Sequence, residues 1–296
     1  MGITRRLTAL AEMMKPTQLA LLMVTMFGAY FAAGGGLRLR EIILLVLTGI
    51  GSAGGVTALN MYIEHDIDSV MPRTSRRPLP RGDIKPSESI ILIVIVISIG
   101  IISSSLINKW VLLTVLTGLY FDIVAYTELF KRHTPWALLA GSIAGSMPAL
   151  GGWAAGCGCI NIAGIILAGT VYVWQPLHVS FIHYAYNEDY VSAGIPTLPG
   201  RVGLKGYGAL SMVSILGLIG LTWAFALAAG FGYATAVLAT ITGAGAARAA
   251  YRFLRSPDRS TARRIVKLAS PTLGIVFVML PIERYLAPMI MSVVAG

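Results

Sequence analysis

Charged residues are scarce in this sequence. Only 12% of its 296 residues are Asp, Glu, Lys or Arg, which is about half the share found in ordinary soluble domains. Hydrophobic residues make up 56% of the chain, and the mean hydropathy is +0.75. Polar residues are therefore too few to coat a soluble core, and lipid must solvate much of the surface. This composition excludes an ordinary soluble protein and predicts a single membrane domain over residues 1–296.

Cysteine is also rare, which excludes a disulfide framework. The two cysteines, Cys157 and Cys159, are separated by a single glycine, and a disulfide across one intervening residue is strained. Two thiols alone make a poor metal cage. We interpret the pair as incidental small residues of a loop.

Hydrophobic runs cover nearly the whole chain. Most of them approach the ~20 residues that a helix needs to cross ~30 Å of hydrocarbon. The predicted fold is therefore an all-α, polytopic membrane helix bundle of about nine transmembrane helices. The predicted spans are residues 16–34, 41–60, 88–107, 110–127, 136–155, 160–184, 207–228, 231–250 and 267–282.

Lys and Arg residues alternate between the two sides of the predicted bundle. Nineteen of the 23 would share one side, in residues 1–15, 69–87, 131–132, 201–205 and 248–267. The positive-inside rule places those segments and the N-terminus in the cytoplasm, in a protein of the plasma membrane. The net charge of +10 then reflects basic loops that face an anionic leaflet. Nucleic acid is not an expected partner.

The first polar cluster follows the second predicted span. Asn60, Glu64 and Asp68 are spaced four residues apart, so in a continuous helix their side chains stack along one face. Such a face suits Mg²⁺, which takes hard oxygen ligands and bridges carboxylates to substrate phosphates. The alternative is a solvated acidic helix end, although acids near a helix C-terminus oppose the macrodipole.

Five basic residues come directly after this acidic segment. They are Arg73, Arg76, Arg77, Arg81 and Lys85. Because arginine binds phosphate in a bidentate manner, the loop is a candidate partner for a phosphate-bearing substrate. The alternative interpretation is a set of surface ion pairs between this loop and the preceding acids.

A second polar cluster lies in and after the sixth predicted span. Gln175 and His178 interrupt an apolar segment, where ionisable groups are costly and usually mark a site. For His178 the alternative is a hydrogen bond between helices. Glu188 and Asp189 follow the span and are candidates for a second Mg²⁺ or for contacts to a basic loop. Asp122, in the fourth span, is another buried acid whose partner the sequence leaves open.

These motifs carry a family resemblance. Asn60-x3-Glu64-x3-Asp68 resembles the Asn-x3-Asp-x3-Asp motif of the UbiA superfamily of intramembrane prenyltransferases. Further strings are similar to one branch, the protoheme IX farnesyltransferases. They are residues 66–82, 126–134, 145–151, 174–178 and 189–199. The positions that depart from the branch pattern are Glu64, His65, Leu177 and Val179.

The resemblance implies transfer of a farnesyl or geranylgeranyl group from its diphosphate to a vinyl group of haem B. The residues that it assigns to Mg²⁺ are Asn60, Glu64, Asp68 and Asp189. Those that it assigns to the diphosphate are Arg73, Arg77, Lys131 and Arg132. Tyr126 would offer a π-face to the allylic cation. The candidates for the acceptor are Trp174, Gln175 and His178, the last as a candidate ligand of the haem iron.

Other functions remain as alternatives. A secondary transporter also has many spans with polar residues at the midplane, but it does not need two carboxylate clusters at the same ends of its spans. A non-catalytic haem-handling protein has no use for Asn60, Glu64 and Asp68 on one face. Within the prenyltransferases, the alternative acceptor is an aromatic quinone precursor or a lipid. Donor chain length and oligomeric state are not determined by these motifs.

Overall fold

The structure is a computed structural model that describes residues 3–294, and all regular structure in that range is helical. The α-helices of the described chain are α1 (Ile3–Met13), α2 (Pro16–Ala32), α3 (Leu39–Gly49), α4 (Gly55–Ile63), α5 (His65–Val70), α6 (Pro86–Ile107), α7 (Lys109–Leu119), α8 (Ala137–Cys157), α9 (Ile162–Ala185), α10 (Asn187–Ser192), α11 (Leu198–Ala229), α12 (Tyr233–Arg255) and α13 (Arg259–Val294). Two π-helical segments, Ile50–Gly54 and Tyr120–Phe130, join α3 to α4 and extend α7.

The nine predicted spans are all helical, which confirms the all-α fold. Six helices among residues 3–294 are long and apolar enough to cross a membrane, and α2 is apolar but shorter. Their length and hydropathy make the chain an integral, multi-pass membrane protein. The count of nine spans and the cytoplasmic N-terminus stay predictions.

Polar caps define where several of the membrane helices begin. Asn108 precedes α7, and its side chain accepts hydrogen bonds from the backbone N–H groups of Trp110 and Val111, at 2.9 and 3.0 Å. Asn161 caps α9 in the same manner through Gly164 N. These side chains satisfy backbone donors that a helix start leaves without partners. The helix ends are therefore specified locally.

Glycine brings the central helices into close contact. A Cβ atom added at Gly152 of α8 would lie 1.9 Å from the carbonyl oxygen of Met26 in α2. One added at Gly28 of α2 would lie 2.3 Å from the carbonyl oxygen of Phe277 in α13. Small residues at such contacts allow the dense packing that holds membrane helices together. Helices far apart in the sequence are thereby packed around α2.

The helix that carries Asn60, Glu64 and Asp68 is kinked. α4 ends at Ile63, and Glu64 has φ −93° and ψ 10°, outside the α-helical region. Helical hydrogen bonds continue on both sides, from Glu64 N to Asn60 O and from Asp68 N to Glu64 O. The motif therefore does not lie on one uninterrupted helix. Glu64 lies at the kink, and Asp68 belongs to the short α5.

The orientation predicted from the alternating basic residues can be tested by thiol labelling. With Cys157 and Cys159 removed, single cysteines placed in 69–87 or 255–262 should be shielded from an impermeant reagent applied outside intact cells. Cysteines placed at 35–39 should be labelled, because that loop would face outward. The reverse pattern would overturn both the orientation and a cytoplasmic active site.

Candidate active site

Asp68 forms the most buried ion pair of the acidic motif. Its side chain is only 3% exposed, and both of its carboxylate oxygens accept hydrogen bonds from Arg77 Nη1, at 2.7 and 2.6 Å. Thr74 Oγ1 donates to the backbone oxygen of Asp68 at 3.1 Å. The basic loop thus folds back onto α5. It places the guanidinium group of Arg77 over a carboxylate that has little access to solvent.

Glu64 forms a second, nearby ion pair. Its carboxylate accepts a hydrogen bond from Lys131 Nζ, and the two side chains are 10% and 17% exposed. The same Lys131 nitrogen lies 5.3 Å from the centre of the Tyr126 ring, within reach of a cation–π contact. Lys131 follows the π-helical segment after α7 and therefore reaches Glu64 from a different span.

Asn60 is held by two groups of that same π-helical segment. Its Oδ1 accepts a hydrogen bond from Thr127 Oγ1 at 2.9 Å, and its Nδ2 donates to Asp122 Oδ1. Thr127 Oγ1 also approaches the backbone oxygen of Asp122, at 2.8 Å. Asp122 therefore pairs with Asn60 rather than with Lys131 or Arg132. A π-helical segment inside a membrane span often marks a functional site, and here it presents both partners of Asn60.

Lys15 is buried close enough to the two ion pairs to feel the charges of their members. Burial and the nearby cations Arg77 and Lys131 lower the pKa of Lys15 to about 8, and Glu64 and Asp68 partly offset this effect. Lys15 has φ 49° and is the one non-glycine residue with positive φ in the described chain. Such a conformation costs roughly 1–3 kcal/mol and is often found at functional sites.

Lys15 was not predicted as a site residue, because its position in the sequence suggested only one of the basic residues of the N-terminal segment. A signal was nevertheless present in the dipeptide Lys15-Pro16. Proline at the first position of α2 marks a helix start. A lysine that directly precedes this proline lies where the first predicted span begins, at the same end of the bundle as the other site residues.

Other predicted site residues lie outside this cluster. Arg132 is 44% exposed and pairs with Asp66, with both oxygens at 3.1 Å. The guanidinium carbon of Arg73 lies 5.0 Å from the ring centre of Tyr186. Asp189 belongs to α10, and its side chain makes no hydrogen bond or ion pair within the described residues. The structure therefore brings together Asn60, Glu64, Asp68, Arg77 and Lys131.

The donor atoms of this cluster are those that a hard cation prefers. Asn60 Oδ1, Glu64 and Asp68 offer an amide oxygen and two buried carboxylates. Within residues 3–294, no group of three or more His, Cys, Asp or Glu side chains is close enough to hold a metal unaided. Mg²⁺ usually retains waters and binds through one or two carboxylates together with substrate phosphates. The residues present therefore fit a metal that arrives with a diphosphate.

A cavity of about 850 Å³, including its open mouth, is lined by Asp122, the hydrogen-bond partner of Asn60. Asp122 is one of its polar lining groups, Gln18 and Gln175 are others, and much of the remaining wall is apolar. A Cβ atom at Gly145 would lie 2.1 Å from Gln175 Oε1, so the glycine makes room for this amide.

His178 and Trp174 form a stacked pair on α9. Their ring centres are 4.6 Å apart, and the angle between the ring planes is 18°. His178 Nδ1 and Trp174 Nε1 are both buried without a hydrogen-bond partner among the described residues. Buried polar atoms normally have partners. His183 Nδ1 is likewise buried without a partner among the described residues, and the His183 ring packs edge-on against Tyr190.

Sequence comparison places these motifs among known proteins. The profile of the UbiA prenyltransferase family matches residues 21–271. A protoheme IX farnesyltransferase from Aeropyrum pernix is 49% identical over 95% of this chain and 93% of its own length. A protein of the same name from Archaeoglobus fulgidus is 38% identical over 92% of this chain and 96% of its own length.

Structural comparison identifies the same fold. A digeranylgeranylglyceryl phosphate synthase structure superposes with a TM-score of 0.77 at 18% identity and covers 94% of this chain and 98% of its own. A UbiA homologue from Archaeoglobus fulgidus bound to GPP and Mg²⁺ gives a TM-score of 0.64 at 14% identity. That match covers 92% of this chain and 99% of the homologue. At these identities, the likeness concerns the fold alone.

Proposed function

Since this chain belongs to the UbiA prenyltransferase family and is an intramembrane prenyltransferase, we propose that it transfers a polyprenyl group to a vinyl carbon of haem B. The allylic C–O bond would break, a C–C bond would form at the vinyl group, and water would add to the resulting cation with loss of a proton, so that the products are haem O and diphosphate. The main support for the proposed site is a set of three cations close to the buried carboxylates of Glu64 and Asp68. These cations are Lys15, Arg77 and Lys131. The relatives' printed name, protoheme IX farnesyltransferase, supports the choice of acceptor.

Lys15, Arg77 and Lys131 bring three cations close to the carboxylates of Glu64 and Asp68, and Asp122 adds a third carboxylate beside Asn60. A diphosphate would be attracted to the three cations, and Arg77 and Lys131 can exchange part of their carboxylate contacts for phosphate oxygens. Mg²⁺, held by Asn60, Glu64 and Asp68, would neutralise charge on the departing diphosphate. We further propose that Asp189 approaches the metal when substrate binds. Arg73 and Arg132 are then outer basic partners of the diphosphate, since both start from more exposed positions.

Stabilising the leaving diphosphate is the main task of these residues. Cleavage of the allylic C–O bond builds negative charge on oxygen, and preorganised cations in a site with little water stabilise that charge strongly. The allylic cation left behind must be kept from water until the acceptor attacks. The cavity beside Asn60 provides apolar walls for the isoprenoid, and the face of Tyr126 lies next to the reacting end.

The acceptor proposal depends on α9. Imidazole is a common ligand of haem iron, and with a ring nitrogen of His178 on the iron the flat porphyrin would lie across the edges of the stacked Trp174 and His178 rings. The unpartnered nitrogens on both rings support a ligand at this position. Gln175, on the cavity side of the same helix, would contact the acceptor from within. An aromatic quinone precursor is the alternative acceptor, but it has no comparable need for a buried imidazole.

We also propose that the reaction takes place at the cytoplasmic face of the plasma membrane. The support is the distribution of Lys and Arg. By the positive-inside rule, the loop that carries Arg77 and the loop that begins with Lys131 would lie on the same side as most other basic residues. A diphosphate would then enter from the cytoplasm while its isoprenoid tail stays in the bilayer.

The acceptor proposal predicts a specific effect of His178→Ala. Titration of the purified variant with haem B should show an altered Soret band and binding weakened at least about tenfold, the scale of one lost strong contact. Binding of the prenyl diphosphate should stay within about twofold, since His178 lies on a different helix from the carboxylates. The matched control is His183→Ala, which removes a buried imidazole from the same helix.

The same experiment can contradict the haem proposal. Wild-type protein that shows no spectral change with haem B, but prenylates a phenolic acid, would replace haem with a quinone precursor as acceptor. Prenyl transfer itself would stand in that case, because it depends on the carboxylates and the basic residues. Equal haem binding by wild type and His178→Ala would remove the assigned role of this histidine.

A further inference from the structure

A groove with a basic rim lies where the end of α9 meets the beginning of α13. Its α9 wall contains Phe181, Ala185 and Tyr186, and its α13 wall contains Arg263 and Lys267. Arg259, at the start of α13, donates a hydrogen bond to the backbone oxygen of Ala185 at 2.8 Å. This contact ties the two helices together at the end of the groove. We call this feature the cationic groove.

Among the described residues, the two basic residues of the cationic groove have no acidic partners. Arg263 and Lys267 are both exposed, one helical turn apart, and neither forms an ion pair within the described residues. The nearest acid in the sequence, Asp258, is engaged at the helix start, where it accepts hydrogen bonds from Ser260 Oγ and Thr261 N. Two like charges on one helix face repel each other, so an anionic ligand would stabilise this arrangement.

The α9 wall of the groove continues directly into the stacked pair. Trp174, His178, Phe181 and Ala185 follow one another at intervals of four, three and four residues, which places them on one face of the helix. Ala185 lies seven residues beyond His178, a rise of about 10.5 Å. This face therefore runs from two unpartnered buried nitrogens to a pair of unpaired cations.

We propose that the cationic groove binds the carboxylates of the prenyl acceptor, which in haem B are its two propionates. The inference rests on the proposed acceptor and assigns the residues that orient it. With the iron bound to His178, the rise of about 10.5 Å along α9 from His178 to Ala185 is comparable to the distance between a haem iron and its propionate carboxylates. The vinyl groups lie on the opposite edge of the porphyrin and point away from the cations, toward the cavity lined by Gln175 and Asp122.

The test compares haem B with its dimethyl ester, in which both propionates are uncharged. Both are titrated into the full-length protein in nanodiscs of neutral lipid, and binding is followed by absorbance. Wild-type protein should bind haem B at least about tenfold more tightly than the ester, the scale of charge-assisted hydrogen bonds. The double variant Arg263→Gln/Lys267→Gln should lose this preference and should bind the ester as wild type does.

The matched control is Arg248→Gln/Arg252→Gln. It removes two exposed arginines with the same spacing from α12, outside the groove, and should keep the preference for haem B. Retention of the preference in the Arg263/Lys267 variant would overturn the proposal, as would equal weakening of haem B and ester. An effect that appears only when the nanodiscs contain phosphatidylglycerol would assign the groove to lipid headgroups and overturn it too.

The result also separates this inference from the proposed acceptor. If wild-type protein binds neither haem B nor the ester, the haem acceptor and the groove assignment both fail. If wild-type protein binds both compounds equally, the acceptor stands and the groove assignment alone fails. Titration with inorganic diphosphate should give the same affinity for all variants, which verifies that the carboxylate cluster is intact.

Discussion

Turnover is expected to fall at least about a hundredfold when Asp68 is replaced with asparagine, the scale of losing one strong electrostatic contact in a transition state. Asp68 is buried and accepts two hydrogen bonds from Arg77. Asparagine keeps the size of the side chain but removes the charge that would hold both the metal and the guanidinium group. Product formation from farnesyl diphosphate and haem B at saturating Mg²⁺, followed by mass spectrometry, measures the loss.

Asp66→Asn provides the matched control for this result. It is the same substitution two residues away, but Asp66 is 55% exposed and pairs with the exposed Arg132. An exposed ion pair contributes only about 0–1 kcal/mol, so turnover should change by no more than about fivefold. Wild type and Asp68→Asn with equal activity at limiting Mg²⁺ would contradict the assignment of Asp68 as a metal ligand.

Lys131→Gln is expected to reduce turnover by about a hundredfold to a thousandfold, because Lys131 would stabilise charge on the departing diphosphate. The variant also leaves Glu64 buried without its partner. Removal of one member of a buried ion pair typically costs about 3–5 kcal/mol of stability. Thermal unfolding would measure the loss of stability. Calorimetric titration with inorganic diphosphate would separately measure the lost contact to the diphosphate.

A double variant distinguishes catalysis from folding at this position. Glu64→Gln/Lys131→Gln removes both charges, so much of the lost stability should return, while turnover stays low. Lys109→Gln is the matched control, since Lys109 is exposed and its ammonium nitrogen lies 5.2 Å from the Trp110 ring centre. A stable double variant with wild-type turnover would exclude Lys131 and Glu64 from the reaction.

The helices of this protein could be predicted because hydropathy and caps are local properties. The apolar run predicted over 88–107 corresponds to α6, which begins at Pro86 and ends at Ile107. The hydrocarbon of the bilayer requires every backbone polar group to be paired internally, which favours a helix for any apolar run of this length. The kink at Glu64 was not predicted, because it lies beyond the apolar run, where the hydropathy pattern carries no information.

The composition of the candidate site could also be predicted, but its pairing could not. Asn60, Glu64 and Asp68 were identified from their spacing. Two of these residues bond to side chains far away in the sequence. Asn60 pairs with Asp122, 62 residues away, and Glu64 pairs with Lys131, 67 residues away. Helical periodicity specifies which side chains share a face, but it does not specify which face of another helix they will meet.

By itself, the sequence determined the membrane class of this protein, its helical spans and the residue types able to bind a diphosphate. The tertiary structure alone decided that Lys15 joins Arg77 and Lys131 around two carboxylates, and that α9 leads from His178 to the cationic groove. The physical reason is that these contacts depend on how closely the helices approach. Glycines such as Gly28 and Gly152 allow that close approach. Which residues then become neighbours is determined only when all the helices are packed together.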